Sequence, residues 1–290
     1  MTRFVPYILV LPFLLIICCI FLCGIFQAIV QSLGYLPVFG MNEPTLNFYR
    51  QVLSDQRFLR SLGNTFYIAI TASLISIIAG TGIAFIMNRA LPGRFSYVLY
   101  KTPIILPYLV VVVAVLYTFS QTGILSRFTY ALGLVDDPNN FPLLVYDRFS
   151  IGVMLVYLFK QIPFVALTVF TVLKNLDKKY VQIAENLGAG SWLTTTLVTL
   201  PLLAPSILSA FLVIFAFNFG AFEVPFLLGN PGRLTLPLLA YYEFRSPVLE
   251  ARPVGMVINV IISAISFLMI GFYTLLYRTL TKLGLREGVL

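Results

Sequence analysis

The sequence contains no histidine and only three cysteines, at positions 18, 19 and 23. The lack of histidine removes the commonest metal ligand and general base. The three cysteines lie together in one apolar run, which is not the spacing of a disulfide framework or a metal site. We therefore expect no metal site, and the absence of any clustered histidine or acidic constellation within the apolar runs argues against an intramembrane enzyme.

Charged residues are also scarce, at 10% of the 290 residues, whereas 59% are hydrophobic. A soluble domain carries about 25% charged residues, so this chain cannot cover its surface with polar side chains. A membrane-spanning helix needs about 20 apolar residues. Six runs reach that length, near residues 7–33, 65–88, 102–120, 151–173, 204–229 and 254–277. Because the runs are continuously apolar rather than alternating, they predict an all-α integral membrane protein with six transmembrane helices.

The basic residues predict which helix ends face the cytoplasm. With the N-terminus inside, the inner segments carry ten lysines and arginines, from Arg3 to Arg286, and the outer loops carry eight. Most acidic residues fall in the outer loops. We expect both termini inside (N-in, C-in), and since topology accounts for the net charge of +8, no nucleic-acid partner is needed.

Two features outside the spans bear on organisation. Leu46, Tyr49, Val52 and Leu53 keep helical spacing, which predicts a short amphipathic helix in the outer segment 34–64, with Asn64 as the N-cap of the second span. The sequence lacks the pattern G-x-x-x-x-G-K-[ST] that cradles nucleotide phosphates. If ATP drives a process here, another subunit must hold it.

Between the fourth and fifth runs, the loop 177–201 predicts two short helices with a break between them. Asp177 is suited to cap the first helix, Gly188-Ala189-Gly190 to end it, and Ser191 to cap the second. The first helix carries small side chains on one face, which permits close approach by a partner. The residues expected on that face are Tyr180, Ala184, Leu187 and Gly188.

This loop resembles the cytoplasmic coupling loop of permease subunits in binding-protein-dependent ABC importers. Their pattern is Glu-Ala-Ala, three residues, Gly, nine residues and Ile-x-Leu-Pro. Gly188 takes the glycine position and Val-Thr-Leu-Pro at 198–201 takes the end, whereas Gln-Ile-Ala at 182–184 replaces Glu-Ala-Ala. Other features follow in the family's order, at 45–49, 64–65, 91–94, 106–107 and 163–164.

The resemblance implies the type I importer permease fold as a single transmembrane domain over 1–290, in the bacterial inner membrane. It implies that the loop 177–201 docks on an ATPase, through Tyr180, Gln182, Ala184, Glu185, Leu187, Gly188, Val198, Leu200 and Pro201. The implied partners are membrane lipid, a second permease subunit forming a heterodimer, an ABC ATPase dimer and an extracytoplasmic solute-binding protein. The chain itself would be no enzyme and bind no cofactor, because ATP and Mg²⁺ belong to the ATPase.

The segment 219–229 is most similar to the spermidine/putrescine branch of this family, which suggests a polyamine as solute. An ionised group within a span costs about 2.5–3.5 kcal/mol, so it usually faces a partner or an aqueous path. The candidate path residues are Glu223, Asn218, Lys160, Tyr117 and Tyr157.

Three alternatives stay open at this point. Glu223 could pair with Lys160 or an outer arginine, or cap loop backbone, instead of meeting solute. The solute could be an aminophosphonate, an amino-acid derivative or an inorganic ion. A secondary transporter is the remaining class, but it would need a coupling-ion site and usually internal repeats, and neither is visible in the sequence.

Overall fold

Within the residues that the computed structural model describes, 5–90 and 94–282, six helical segments are long and apolar enough to cross a membrane. They are Leu9–Ser32, Gln56–Arg89, Tyr108–Ala131, Ile151–Asn175, Ser191–Gly220 and Ala251–Leu275. The prediction of an all-α membrane protein with six spans is confirmed. Arg3, Arg286 and the family-like positions 91–93 lie outside the described residues.

The helices do not each correspond to one span, because several are broken or very short. In chain order they are α1 (Val5–Ser32), α2 (Asn47–Ser54), α3 (Gln56–Ala90), α4 (Arg94–Ile105), α5 (Tyr108–Phe119), α6 (Ile124–Ala131), α7 (Ile151–Asn175), α8 (Lys178–Asn186), α9 (Ser191–Thr194), α10 (Leu200–Gly220), α11 (Glu223–Leu228), α12 (Leu236–Arg245) and α13 (Ala251–Lys282). The predicted amphipathic helix of the outer segment is confirmed as α2.

The second span begins nine residues earlier than the apolar run suggested. Asp55 acts as the N-cap of α3, since its Oδ1 accepts a hydrogen bond from the backbone N–H of Arg57 at 2.7 Å. Burial raises the pKa of Asp55, but the hydrogen bonds and positive charge of Arg57 outweigh this and hold it below its ordinary value. The prediction that Asn64 caps this span is therefore wrong: Asn64 lies inside α3, and its Nδ2 donates to the carbonyl of Arg233 at 2.9 Å.

The third apolar run, predicted as one helix over 102–120, is interrupted between α4 and α5. Pro107 carries no backbone N–H and disfavours helical geometry at Leu106, the residue before it. The chain therefore turns at Leu106 and Pro107, and Pro107 itself is extended, with φ −58° and ψ 145°. The break leaves carbonyl groups at the end of α4 without helical partners.

The fifth span ends at Gly220, not at residue 229 as predicted. Pro225 cannot donate to the carbonyl four residues before it, and its ring would clash with that carbonyl, which belongs to Ala221. Ala221 is accordingly extended, with ψ 132°, and the chain restarts as the short helix α11. Glu223 thus begins a separate helix instead of lying inside a span.

The chain divides into two compact units, and unit 1 comprises Met1–Leu62 and Leu236–Ile265. Its helices are held by specific contacts: the Ser32 hydroxyl lies 2.7 Å from the Tyr49 hydroxyl, and Arg57 forms ion pairs with Asp55 at 2.9 Å and Glu243 at 3.2 Å. The guanidinium of Arg252 stacks over the ring of Phe244 at 4.6 Å. Such cation–π contacts stabilise by about 0.5–1 kcal/mol where solvent is present.

Unit 2 comprises Gly63–Thr235 and Ser266–Leu290, and α7 lies at its centre. Helix α7 packs against α4, α5, α10 and α11. It contributes to two apolar clusters, one around Val111, Val153 and Leu228 and the other around Met87, Val169 and Leu203. Gly80 lets α3 approach α7 closely, because a Cβ there would lie 2.6 Å from the Cβ of Val165.

Candidate functional site

Four buried polar side chains from three spans meet inside unit 2. Gln161 of α7 and Asn218 of α10 exchange amide hydrogen bonds, with Asn218 Nδ2 donating to Gln161 Oε1 at 3.2 Å. Asn218 Nδ2 also donates to the Ser73 hydroxyl of α3 at 3.1 Å, and the Ser76 hydroxyl lies 3.4 Å from Gln161 Oε1. Asn218 therefore links α3, α7 and α10, and only 3% of its surface is exposed.

Lys160, a predicted path residue, is held by the backbone of the broken third span. Its ammonium donates to the carbonyls of Ile104 and Leu106 and lies 4.4 Å from the centre of the Tyr108 ring. These carbonyls belong to the C-terminal end of α4, where the helix dipole favours a positive charge. Lys160 thus caps α4, and no ion pair joins it to Glu223 in the described parts of the chain.

The two tyrosines among the predicted path residues occupy different environments. Tyr157 is fully buried, its ring meets Phe217 edge-on at 6.3 Å, and its hydroxyl has no hydrogen-bond partner among the described residues. Phe217 stacks in turn on Tyr108 at 4.8 Å. Tyr117, on α5, is 66% exposed. The structure therefore brings Tyr157 and Lys160 to one aromatic group with Tyr108 and Phe217, and leaves Tyr117 outside it.

Glu223 is the first residue of α11, and its side chain is exposed. Within residues 5–90 and 94–282 it forms no ion pair. The neighbouring rings of Phe222 and Phe226 stack at 5.2 Å, and α11 packs against α5, the helix that carries Tyr117. A carboxylate without an ion pair, beside the exposed ring of Phe226 and the half-buried ring of Phe222, suits a cationic ligand better than an anionic one.

The loop 177–201 contains two helices separated by a break, as predicted, but the second helix continues through a π turn into α10. The fifth span therefore begins at Ser191 and not near residue 204 as predicted. Asp177 caps α8 by accepting the backbone N–H of Lys179 at 3.0 Å, as predicted. Helix α8 ends in a Schellman motif: Gly188 has a φ of 86°, its N–H donates to the carbonyl of Glu185, and that of Ala189 donates to Ala184. The predicted stop at Gly188 is confirmed, but Gly188 lies beyond the helix and not on its face.

The second helix starts differently from its prediction. Gly190 is the N-cap, without a side-chain hydrogen bond, and Ser191 is already helical, so the prediction of a Ser191 cap is wrong. A π-helical turn, Thr195–Thr199, joins α9 to α10. Threonine hydroxyls bond to backbone carbonyls around it, Thr195 to Ser191 at 2.8 Å and Thr199 to Thr194 at 3.4 Å. Single π turns within α-helices are frequent at functional sites.

The loop residues predicted to contact the ATPase differ in their exposure to solvent. Ala184 is buried against the chain's own helices, whereas Tyr180, Gln182, Glu185 and Leu187 are exposed, Leu187 by 82%. Further along, Leu200 is exposed and Val198 and Pro201 are half-buried. Trp192, outside the predicted set, is 80% exposed. The exposed members thus include both polar side chains, Gln182 and Glu185, and large apolar ones such as Leu187, and Trp192 adds a further exposed apolar side chain.

Sequence reasoning missed the carbonyls at the α4 end and the role of Tyr108. The dipeptide Leu106-Pro107 was a usable signal, because a proline inside an apolar run predicts free carbonyls, and a mid-span lysine is a natural partner for them. It also missed that Arg89 and Lys174 face the same cavity as α8. No signal in the sequence indicates that contact, since the residues are 85 positions apart.

Comparisons with known proteins agree with this architecture. The model of a family described as the binding-protein-dependent transport system inner membrane component matches residues 72–282. The chain is similar to the spermidine/putrescine transport system permease protein PotB of Escherichia coli (strain K12), at 24% identity over 242 residues, 82% of this chain and 84% of that protein. It is also similar to the putrescine transport system permease protein PotI of the same strain, at 24% identity over 206 residues, 69% and 67% of the two chains.

Among solved structures, the chain resembles one from a bacterial ABC transporter involved in the import of the acidic polysaccharide alginate. The TM-score is 0.75 at 16% identity, covering 95% of this chain and 96% of the other, which shows a shared fold. The family match extends over most of the chain and includes the loop 177–201. This protein is thus an inner membrane permease subunit, and it belongs to the family of binding-protein-dependent transport system inner membrane components.

Proposed function

We propose that this permease subunit forms half of the path by which an ATP-driven importer carries a small cationic amine, such as spermidine or putrescine, across the inner membrane. The other half is a second, similar permease subunit. A solute-binding protein delivers the amine from outside, and a separate ABC ATPase dimer holds ATP and Mg²⁺. This chain binds no cofactor of its own.

The observation that carries the proposal is the form of the loop 177–201. Its first helix is fixed at both ends, by Asp177 and by the Schellman motif at Gly188, so it is a rigid body of defined length. Its exposed side chains include the large apolar groups Leu187 and Trp192. We propose that Tyr180, Gln182, Glu185 and Leu187 enter a groove on the ATPase, that Gly188, Leu200 and Pro201 shape the loop, and that Ala184 and Val198 support it from within.

The charges of the described spans favour a cationic solute. Lys160 is engaged by the carbonyls of α4, so its charge is already compensated. The carboxylate of Glu223 has no such partner in the described residues, which leaves a negative charge available near the outer end of the fifth span. Two curated relatives are named for polyamine transport, in agreement with this sign. We propose that Glu223 and Tyr117 meet the amine, and that Asn218, Lys160 and Tyr157 support the walls behind them.

The second candidate is the same permease role for another small solute. It is favoured by one observation: a chain with this fold belongs to an importer of alginate, an acidic polysaccharide, so the fold alone does not select a cation. An aminophosphonate, an amino-acid derivative or an inorganic ion would each fit that role. The charge at Glu223 argues against the anionic members of this group.

Co-purification and solute-stimulated ATP hydrolysis test the proposal. The chain would be co-expressed with candidate ATPase, second permease and binding-protein subunits, and the assembled complex placed in lipid. We expect spermidine or putrescine, with the binding protein, to raise ATP hydrolysis. Stimulation by another solute alone would keep the importer and overturn the polyamine assignment, and a folded chain that assembles with no ATPase would overturn the docking role.

A further inference from the structure

A cavity of about 420 Å³ with both polar and apolar walls lies beside the loop 177–201, and all of its lining residues belong to unit 2. Its walls are the C-terminal ends of α3 and α7, the inner side of α8, and the segment 191–199 that includes the π turn. Arg89 lies in the last turn of α3 and Lys174 in the last turn of α7. The cavity is therefore located where two spans end on the same side of the membrane.

Three charged residues line the cavity without neutralising one another. Arg89, Lys174 and Glu185 are each exposed, and in the described ranges none of their side chains forms an ion pair or a side-chain hydrogen bond. Two basic side chains and one acidic side chain give the lining a formal net charge of +1. An anion placed there would meet an excess of positive charge.

Neutral hydrogen-bond donors complete the lining. Asn88, Gln182 and Ser191, whose side chains carry amide or hydroxyl groups, are among the residues that line the cavity. The threonine hydroxyls on the same wall are engaged with backbone carbonyls, Thr195 with Ser191 and Thr199 with Thr194, so they are not free to donate. The lining thus includes two basic residues and three neutral residues that carry donor groups. An oxyanion with several acceptor oxygens matches this set, and a phosphate group has that chemistry.

We propose that this cavity binds a phosphate group and that the bound group ties α8 to the ends of α3 and α7. The source is either the headgroup of an anionic phospholipid or a soluble phosphate compound, since both present the same oxyanion. Basic pockets between helices at the inner membrane surface bind anionic headgroups. The inference rests on the proposed function only in placing the loop 177–201 on the cytoplasmic side.

The bound phosphate would stiffen the loop 177–201. Helix α8 is joined to the spans through the Schellman turn at one end and Leu176 at the other, and Glu185 and Gln182 contribute to the cavity from α8 itself. A ligand that contacts both α8 and Arg89 adds a connection to a side chain that forms no ion pair within residues 5–90 and 94–282. The amides of α8 should then exchange with solvent more slowly when the site is filled.

Hydrogen exchange on the full-length chain in nanodiscs tests this in two arms. The lipid arm compares phosphatidylcholine alone with an equal mixture of phosphatidylcholine and phosphatidylglycerol. The soluble arm adds inorganic phosphate to phosphatidylcholine nanodiscs, against chloride at equal ionic strength. We expect protection of α8 to rise in one arm, which also identifies the source. Unchanged protection in both arms would overturn the proposal.

Single variants assign the effect to the cavity. Arg89→Gln and Lys174→Gln should each abolish most of the phosphate-dependent protection, whereas Lys179→Gln should keep it, because Lys179 is on the same loop outside the cavity lining. Glu185→Gln removes the opposing charge and should tighten binding about fivefold, of the order expected for one partly screened charge. If Lys174→Gln and Lys179→Gln lose the same amount of phosphate-dependent protection, the effect comes from general surface charge. That result would overturn the site.

Failure of this inference can be distinguished from failure of the proposed function. ATPase docking is measured by co-purification, and phosphate binding is measured on the permease chain alone. A chain that docks an ATPase but shows no phosphate-dependent protection contradicts only the phosphate site. A chain that binds phosphate but docks no ATPase contradicts only the coupling role.

Discussion

The side-chain amides of Gln161 and Asn218 face each other across α7 and α10 and exchange hydrogen bonds in the buried interior of unit 2. Each amide would be costly to bury alone, because an unsatisfied polar group keeps its desolvation penalty. The pair, with Ser73, therefore fixes the relative register of three spans. Each amide donates to the other and accepts from it, so few of their hydrogen-bonding groups remain for a solute in this conformation.

Replacement of Asn218 by alanine should destabilise the chain by about 1–2 kcal/mol, since Gln161 would lose its main partner while staying buried. The free energy of unfolding in detergent measures this. Asn175→Ala, at an exposed position near the end of α7, is the matched control and should change it by less than about 0.5 kcal/mol. Equal effects of the two substitutions would contradict the role of the pair.

The sequence predicted the spans because hydropathy depends on composition over about 20 residues. It also predicted α2, the Asp177 cap and the Gly188 stop, which rest on local spacing and local backbone preference. These features need no knowledge of which distant residues come together. These predictions succeed because such features of a membrane helix bundle depend on the sequence of each segment alone.

The features that the sequence did not predict depend on proline geometry and distant contacts. Pro107 and Pro225 break the third and fifth spans, because each removes one backbone donor. The partner of Asn64 is the carbonyl of Arg233, and that of Lys160 is the carbonyl of Leu106. No periodicity or motif reports such pairs, so the sequence alone left Lys160 open to pairing with Glu223.

Substitutions at two glycines of α3 test the close approach of that helix to α7. Gly80→Ala should destabilise the chain by about 1–3 kcal/mol, because its Cβ would meet Val165 at 2.6 Å and the carbonyl of Ile162 at 2.9 Å. Gly82→Ala meets no atom within 4 Å and should be neutral or stabilise by about 0.5–1 kcal/mol through helix propensity. Unfolding of both variants in the same detergent makes the comparison, and a harmless Gly80→Ala would refute the contact.

The loop 177–201 offers a second matched pair. A Cβ at Gly188 or Gly190 meets nothing within 4 Å, but Gly188 has a φ of 86° whereas Gly190 has a φ of −67°. Gly188→Ala should therefore strain the Schellman turn by about 1–2 kcal/mol, and Gly190→Ala should not.

Hydrogen exchange of the α8 amides is the direct measurement for this pair, because the strain is local. Faster exchange is expected in Gly188→Ala alone. If this helix transmits ATPase closure, the same variant should also weaken the coupling of ATP hydrolysis to uptake. Indistinguishable exchange in the two variants would contradict the assignment of the turn.

The engagement of Lys160 by the α4 carbonyls predicts that it acts independently of Glu223. Lys160→Met should destabilise the chain by about 1–3 kcal/mol, because two carbonyls at the helix break lose a charged donor. Glu223→Gln should have little effect on stability, and the double variant should equal the sum within about 0.5 kcal/mol. A coupling energy well above that in the double-mutant cycle would show that the two charges interact.

The carboxylate of Glu223 is the most specific test of the amine assignment. Glu223→Gln removes the negative charge while keeping the shape, and we expect uptake of spermidine or putrescine in the assembled importer to fall about tenfold, equivalent to about 1.4 kcal/mol of lost interaction. Glu223→Asp should retain most of the uptake, since it keeps the charge. Glu250→Gln, at an exposed outer position, is the matched control for the loss of one carboxylate and should leave uptake unchanged. Assembly with the ATPase is checked in each variant, because a loss of assembly would also lower uptake. Full uptake by a correctly assembled Glu223→Gln importer would mean that the carboxylate does not meet the solute.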